Sequence, residues 1–162
     1  MDNNKIYIHF ESEHFEKEMF TKIINLKEIS MLNKPMGGLW SSPEDSENRW
    51  DIWCHAVGYS HRNNYWNKKF RFILKENANI LKVTGDMYIN LPHTQIELKY
   101  PLINIIPEKY KQPLYELDYE KLSSMYDGIE VNFSDNPELL SYFDFWDCDT
   151  LLVFNPNVIQ EL

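Results

Sequence analysis

Cysteine and positive charge are both in short supply in this chain, and each shortage closes off a class of function. Cys54 and Cys148 are the only cysteines, accompanied by five histidines. They form no C-x-x-C pair and give no ligand spacing of the structural-zinc kind, so no metal is expected. Lys and Arg number 16 against 25 Asp and Glu, for a formal charge of -9. Binding to a phosphate backbone works by Lys and Arg displacing counterions, so this balance argues against a nonspecific nucleic-acid binder while leaving room for a local basic pocket. No phosphate loop of the Walker kind, dinucleotide G-x-G-x-x-G, H-E-x-x-H or nucleophile-elbow G-x-S-x-G occurs. No apolar run approaches the length of a membrane span, and Met1-Asp2-Asn3-Asn4-Lys5 has neither a basic n-region nor an apolar h-region. The expected setting is the cytoplasm, with both thiols reduced.

What is present is aromatic surface and one dense stretch of site-like residues. Aromatic residues make up 15% of the chain, and Trp40, Trp50, Trp53, Trp66 and Trp146 supply large pieces for a core. A length of 162 residues suits one domain spanning 1–162. The stretch Lys34-Pro35-Met36-Gly37-Gly38-Leu39-Trp40-Ser41-Ser42-Pro43 packs a cation, two glycines, an indole and two hydroxyls into ten positions. Adjacent glycines permit positive φ and close approach of the backbone to a ligand. The same stretch also reads as a tight turn leading into a core strand.

Taken in order, Lys5-Ile6-Tyr7-Ile8-His9-Phe10 predicts a buried first strand. From His14 to Ile29 the apolar residues Phe15, Met19, Phe20, Ile23, Ile24 and Leu26 recur at helical spacing, with acids in the first turns and Ser12 as cap, and predict a helix. Gly38 to Ser41 reads as a short strand, and Arg49 to Val57 as a helix capped by Ser42 or Ser46, with Trp50, Trp53 and Val57 on one face. The Phe70-Phe72-Leu74 alternation predicts a strand with Ile80-Leu81-Lys82-Val83 as its neighbour or hairpin partner. Between Gly85 and Tyr119, Pro92, Pro101, Pro107 and Pro113 leave room only for loops and short helical pieces. A short helix at Asp118–Met125, a strand at Ile129–Phe133, a helix at Asn136–Phe143 with Pro137 in its first turn, and a fully buried strand at Thr150–Phe154 complete the expectation.

The polar groups that stand out are His9, Ser41 and Ser42, Tyr126-Asp127-Gly128, and the acids Asp147 and Asp149. On Tyr7-Ile8-His9-Phe10, Gly38-Leu39-Trp40-Ser41-Ser42, Tyr126-Asp127-Gly128-Ile129-Glu130-Val131 and the run Trp146 to Pro156, together with the order of the elements, the chain resembles the ADP-ribosyltransferase family. The comparison covers about the first 60 and the last 40 residues. The resemblance implies an α+β fold of two small packed sheets with flanking helices, and NAD as substrate. It implies that His9 holds the adenosine ribose, that Ser41 or Ser42 holds the nicotinamide ribose, and that Trp40 walls the pocket. Gly37, Gly38 and Tyr126 fall with the cofactor-binding group. A late acid acts on the ribose being transferred, with Asp149 or Asp147 first and Glu130 third. The family's usual acid is glutamate, so aspartate here is a departure with a shorter reach. Asp147 and Asp149 at alternating strand parity are expected to face the same side.

The chemistry of NAD agrees with that list. A diphosphate, two riboses and two flat rings want backbone N–H donors, hydroxyls, aromatic surfaces and a cation, which Gly37-Gly38, Ser41, Trp40 and Lys34 supply. A carboxylate near the ribose stabilises the positive charge that develops as the nicotinamide bond breaks. Each residue also has a purely structural reading: His9 as a hydrogen-bonded strand end, the tryptophans as core, Ser41-Ser42 as helix caps, Asp127-Gly128 as a turn, and Lys34 as a solvated lysine. The implied partner is a macromolecular acceptor, a protein rather than a nucleic acid, and small transferases of this type resemble toxins, phage host-takeover factors and defence or counter-defence proteins. The competing readings are a non-catalytic acidic inhibitor of the phage type that docks on a basic partner by charge complementarity, and a structural prophage domain with no small-molecule site.

Overall fold

The computed structural model describes residues 5–26, 34–59, 67–96, 114–143 and 146–162. It is mixed α+β, with β1 (Ile6–Phe10), β2 (Leu39–Pro43), α1 (Trp50–Ala56), β3 (Lys69–Leu74), β4 (Ile80–Lys82), α2 (Gly85–Tyr88), β5 (His93–Ile96), β6 (Leu114–Leu117), α3 (Tyr119–Met125), β7 (Gly128–Val131), β8 (Thr150–Val153) and β9 (Ile159–Glu161). Short 3₁₀ turns lie at Lys17–Met19, Pro137–Ser141 and Pro156–Val158. Seven strands form one sheet in the order β4-β7-β8-β2-β1-β3-β9, in which only β4 and β7 run parallel. The expectation of two small packed sheets is therefore corrected to one long sheet and a separate antiparallel pair, β5–β6.

The sheet is covered on both faces, and the period of two along each strand decides which residue goes where. In β8, Leu151 and Val153 join one apolar cluster with Tyr7, Leu39, Phe70, Phe72, Val158 and Ile159, while Leu152 between them joins the other. That second cluster gathers Leu81, Ile129 and Val131 against Leu122 of α3 and Leu139, Phe143 and Trp146. Every residue of β8 is buried, as expected for Thr150–Phe154, and every residue of β7 is buried too, Glu130 included, although its sequence alternates. The sheet also curls. Tyr7 in β1 donates to Glu130 in β7 at 3.1 Å although three strand intervals separate them, about 14 Å in a flat sheet. Lys5 Nζ lies 2.6 Å from the same carboxylate and draws it shut from the side of the first strand.

Several local expectations yield to tertiary pairing. No α-helix forms over residues 14–26. After the 3₁₀ turn at Lys17–Met19 the chain is extended, and Ile24 exchanges both backbone hydrogen bonds with Met36. The apolar residues at helical spacing do not share one face: Ile23 is buried, Ile24 is 47% exposed, and Phe15 and Phe20 pack on the cluster around Phe70. Residues 27–29 of that predicted helix, Trp66, Pro101, Pro107 and Pro113 lie outside the described residues. The strand at residues 80–82 pairs in parallel with β7 and not with β3. The helix expected at Asn136–Phe143 is the 3₁₀ turn Pro137–Ser141. Strands β5, β6 and β9 were not foreseen, and α2 is one of the short helical pieces expected after Gly85.

Gly37 and Gly38 have φ of 86° and 70°, and both are pressed against protein rather than open space. A Cβ on Gly37 would stand 2.2 Å from the Lys22 carbonyl oxygen, and one on Gly38 would stand 2.7 Å from Leu152 Cδ1 and 2.8 Å from the Val153 oxygen. Their function in the fold is to let the entry to β2 pass between the extended segment at Thr21–Ile23 and β8. Gly38→Ala combines a disfavoured φ with overpacking and is expected to cost about 2 kcal/mol or more, read as a lower urea midpoint at unchanged slope. A neutral result would show that the β2 entry is not held against β8.

Candidate functional site

A change of partner along β2 opens the site. Its C-terminal half pairs with β1, Ser42 opposite Ile8 and Pro43 opposite Tyr7. Its N-terminal half pairs with β8, Leu39 to Ser41 opposite Val153 to Leu151. Beyond Ile8 the two strands part, and the carbonyl of Trp40 loses a β1 backbone partner. The His9 ring takes that place, with Nδ1 donating to the Trp40 oxygen at 2.7 Å. A cavity of about 320 Å³ lies in the opening, lined by His9, Phe10 and Glu11 from the end of β1, Trp40, Ser41 and Ser42 from β2, Trp50 from α1, Lys34, and Asp147, Cys148 and Thr150 at the start of β8.

The bond to a carbonyl defines the tautomer of His9: Nδ1 carries the proton, and Nε2 presents its lone pair, with no hydrogen-bond partner among the described residues. Burial lowers the pKa of the ring below its ordinary 6.5, and the Trp40 carbonyl and Glu11 only partly oppose that effect. His9 is thus a neutral acceptor at neutral pH. The thiol of Cys148 is pushed the other way by burial, above its ordinary 9.0, against the opposing pull of the Thr150 and Ser42 hydroxyls. It is a thiol and not a thiolate nucleophile. Glu11, at the end of β1, has φ of 89°, the only described residue other than glycine in the left-handed region, so the backbone carries local strain at the rim of the cavity.

The opposite wall holds the charges. Lys34 Nζ lies 3.5 Å from Asp147 Oδ2, and stands 5.6 Å and 5.7 Å from the ring centroids of Trp40 and Trp50. Ser42 positions Trp50 by accepting from its backbone N–H at 3.1 Å. Ser41 donates to the Leu151 carbonyl at 2.9 Å, so both hydroxyls hold the fold while their residues line the cavity.

Five residues named from the sequence are placed elsewhere. Asp149 is 1% exposed, and its carboxylate accepts from Ser46 Oγ (2.7 Å), Ser134 Oγ (2.7 Å) and the backbone N–H groups of Phe133 (2.8 Å) and Ser134 (3.2 Å). The expectation that Asp147 and Asp149 face one side is corrected, because β8 begins only at Thr150 and strand alternation does not apply to residues before it. Glu130 is the buried partner of Lys5, Tyr7 and, at 3.8 Å, Lys82. Gly37 and Gly38 meet protein backbone and side chains rather than the cavity. Tyr126 ends α3 and packs on the cluster around Trp146. Phe10, Glu11, Cys148 and Thr150 were missed as lining residues. They adjoin named residues in sequence, which is the only signal that pointed to them.

No family model, curated protein or solved structure matches this chain. Among the described residues no group of His, Cys, Asp and Glu is arranged to hold a metal ion, and no helix is long and apolar enough to cross a membrane.

Two outcomes follow from these placements. Asp149→Ala leaves four donors facing a void, and is expected to cost about 3 kcal/mol or more in chemical denaturation. A loss below about 1 kcal/mol would contradict the structural role. His9 makes stability depend on pH in one direction. Above 6.5 the ring is neutral in both states and contributes no slope. Below it the unfolded chain takes up a proton that the folded chain resists, so stability falls with pH until the lowered pKa of the folded state is passed. His9→Asn should flatten the loss of stability between about pH 7 and about pH 5, and equal losses in both proteins would count against a buried neutral ring.

Proposed function

We propose that the cavity takes NAD and that the protein is an ADP-ribosyltransferase-like enzyme acting on a macromolecular acceptor, a protein rather than a nucleic acid. One observation carries this reading: His9, Trp40 to Ser42 and Asp147, drawn from stretches of sequence far apart, line a single cavity. They come from three of the stretches on which the resemblance rests, while Tyr126 to Val131 lies outside the cavity. The chemistry of the lining supports it too. Two indoles offer flat apolar surface to a ring, neutral His9 Nε2 accepts from a ribose hydroxyl, and Asp147 supplies a carboxylate at 31% exposure, open to a reacting group.

In this reading the bond between the ribose carbon and the nicotinamide nitrogen breaks, nicotinamide leaves with the bonding pair, and a nucleophile of the acceptor attacks the same carbon and gives its proton to the Asp147 carboxylate. Asp147 stands beside the carbon as positive charge develops and orients the attacking group. The cavity is at the small end of ligand sites. It suits one ribose and its ring, with the rest of the dinucleotide across its mouth, so in this reading His9 meets the nicotinamide ribose and not the adenosine ribose that the resemblance assigns to it.

Calorimetric titration with NAD tests the proposal, with nicotinamide release as the readout of chemistry. Saturable binding is expected, weakened about tenfold in His9→Ala. Asp147→Asn should bind NAD but release nicotinamide slower by about 10² or more. Neither heat nor a thermal shift at millimolar NAD would overturn the reading.

A further inference from the structure

The corner of the cavity around Lys34 is shaped for a positive charge other than the one it holds. Two indole faces and a carboxylate converge there, the arrangement that attracts a cation through ring quadrupoles and a counter-charge together. Both rings pack against further indoles. Trp40 and Trp146 pack edge to face at 4.8 Å and 60°, and Trp50 is stacked on Trp53 at 5.3 Å and 11°. The walls therefore stand in place without a ligand.

Lys34 fits this corner poorly. A primary ammonium has three N–H donors, and a charge-assisted bond to a carboxylate runs about 2.7–2.9 Å. Lys34 has one acceptor in reach, at 3.5 Å, and no hydrogen bond to any described residue. Its side chain is 25% exposed, so release into water is open to it and restores the rotamer freedom that the corner removes. An ammonium whose hydrogens are replaced by methyl groups matches the corner better, because it needs no acceptors and presents apolar surface to both indoles.

We infer that this corner is a recognition subsite for the alkylated ammonium group of a small organic cation, and that Lys34 is a tethered stand-in displaced on binding. The inference rests on the preceding reading only in taking this cavity as the ligand site, and it involves no NAD chemistry. The cation brings the ammonium group between Trp40 and Trp50 and leaves its remaining atoms toward His9.

Choline and its uncharged isostere 3,3-dimethylbutan-1-ol test the subsite, followed by tryptophan fluorescence in the intact protein and in Lys34→Ala, Lys34→Gln and Asp147→Asn, each checked for folding by circular dichroism. Choline should bind saturably and the neutral isostere at least about tenfold more weakly. Both Lys34 variants should bind choline about tenfold more tightly than the parent, and Asp147→Asn more weakly. Equal binding of the charged and neutral compounds, or no saturation in either folded Lys34 variant, overturns the inference. Titrating NAD into the same samples separates the two readings. Heat from NAD without a choline response removes only the cation subsite, whereas a choline response without heat from NAD removes only the transferase reading.

Discussion

A single hydrogen bond, from His9 Nδ1 to the carbonyl of Trp40, holds the place where this sheet comes apart. A strand that continues from one partner to another must leave backbone groups unpaired at the junction, and an unpaired buried carbonyl is costly. Here the imidazole supplies the missing donor, so β1 and β2 can diverge without that penalty. The divergence makes the cavity, and the bond that permits it also orients Nε2 as an acceptor. The two roles are inseparable: one nitrogen of the ring serves the fold, and the other is free for a ligand because the first is committed. Burial then keeps the ring neutral, since a second proton would be poorly solvated there.

Two buried carboxylates, Asp149 and Glu130, hold the pieces on either side of that opening. Asp149 ties the approach to β8 to the Ser46 turn before α1 and to the segment after β7. Glu130 closes the curl of the sheet through Lys5 and Tyr7, whose phenol is held far above its ordinary range by burial and then by the charge of Glu130, and so stays protonated as the donor. Acids that are buried and fully hydrogen-bonded stiffen a structure because removing any partner leaves a charge exposed to a low dielectric. Asp147 differs in being partly open and, among the described residues, held by one lysine at 3.5 Å. Of these three acids, Asp147 is the one that lines the cavity.

Much of the scaffold was legible in the sequence because its elements are short and bounded by strong signals. The alternation of Phe70, Phe72 and Leu74, the apolar run Thr150 to Phe154 ended by Asn155-Pro156, and the Asp118 cap of α3 all act locally. The segment from His14 to Leu26 misled because its helical spacing was real but its partner was distant: the backbone bonds offered by Met36 and the close fit of Gly37 and Gly38 outweigh a weak helical preference. The parallel pairing of β4 with β7 was hidden for the same reason, since nothing between Lys75 and Val83 encodes a partner nearly fifty residues later. In the site, Trp40, Ser41 and Ser42 came to light as a cluster in sequence, while Asp147 and Asp149 required a strand boundary that composition does not reveal.

The charges in the cavity narrow what enters it more than the charge of the whole chain does. Its lining offers one ammonium, Lys34, against the carboxylates of Asp147 and Glu11, while His9 is neutral and Cys148 keeps its proton. A diphosphate placed deep among these groups would meet two like charges and one cation already engaged. An anionic portion of any ligand therefore belongs at the mouth, and the interior favours groups that are neutral or positive with a flat or apolar surface. Both proposed occupants obey this constraint: the nicotinamide ring of oxidised NAD carries a positive charge, as does an alkylated ammonium. They also place that charge against the same indoles, which makes occupation of the Lys34 corner by one of them unfavourable to the other.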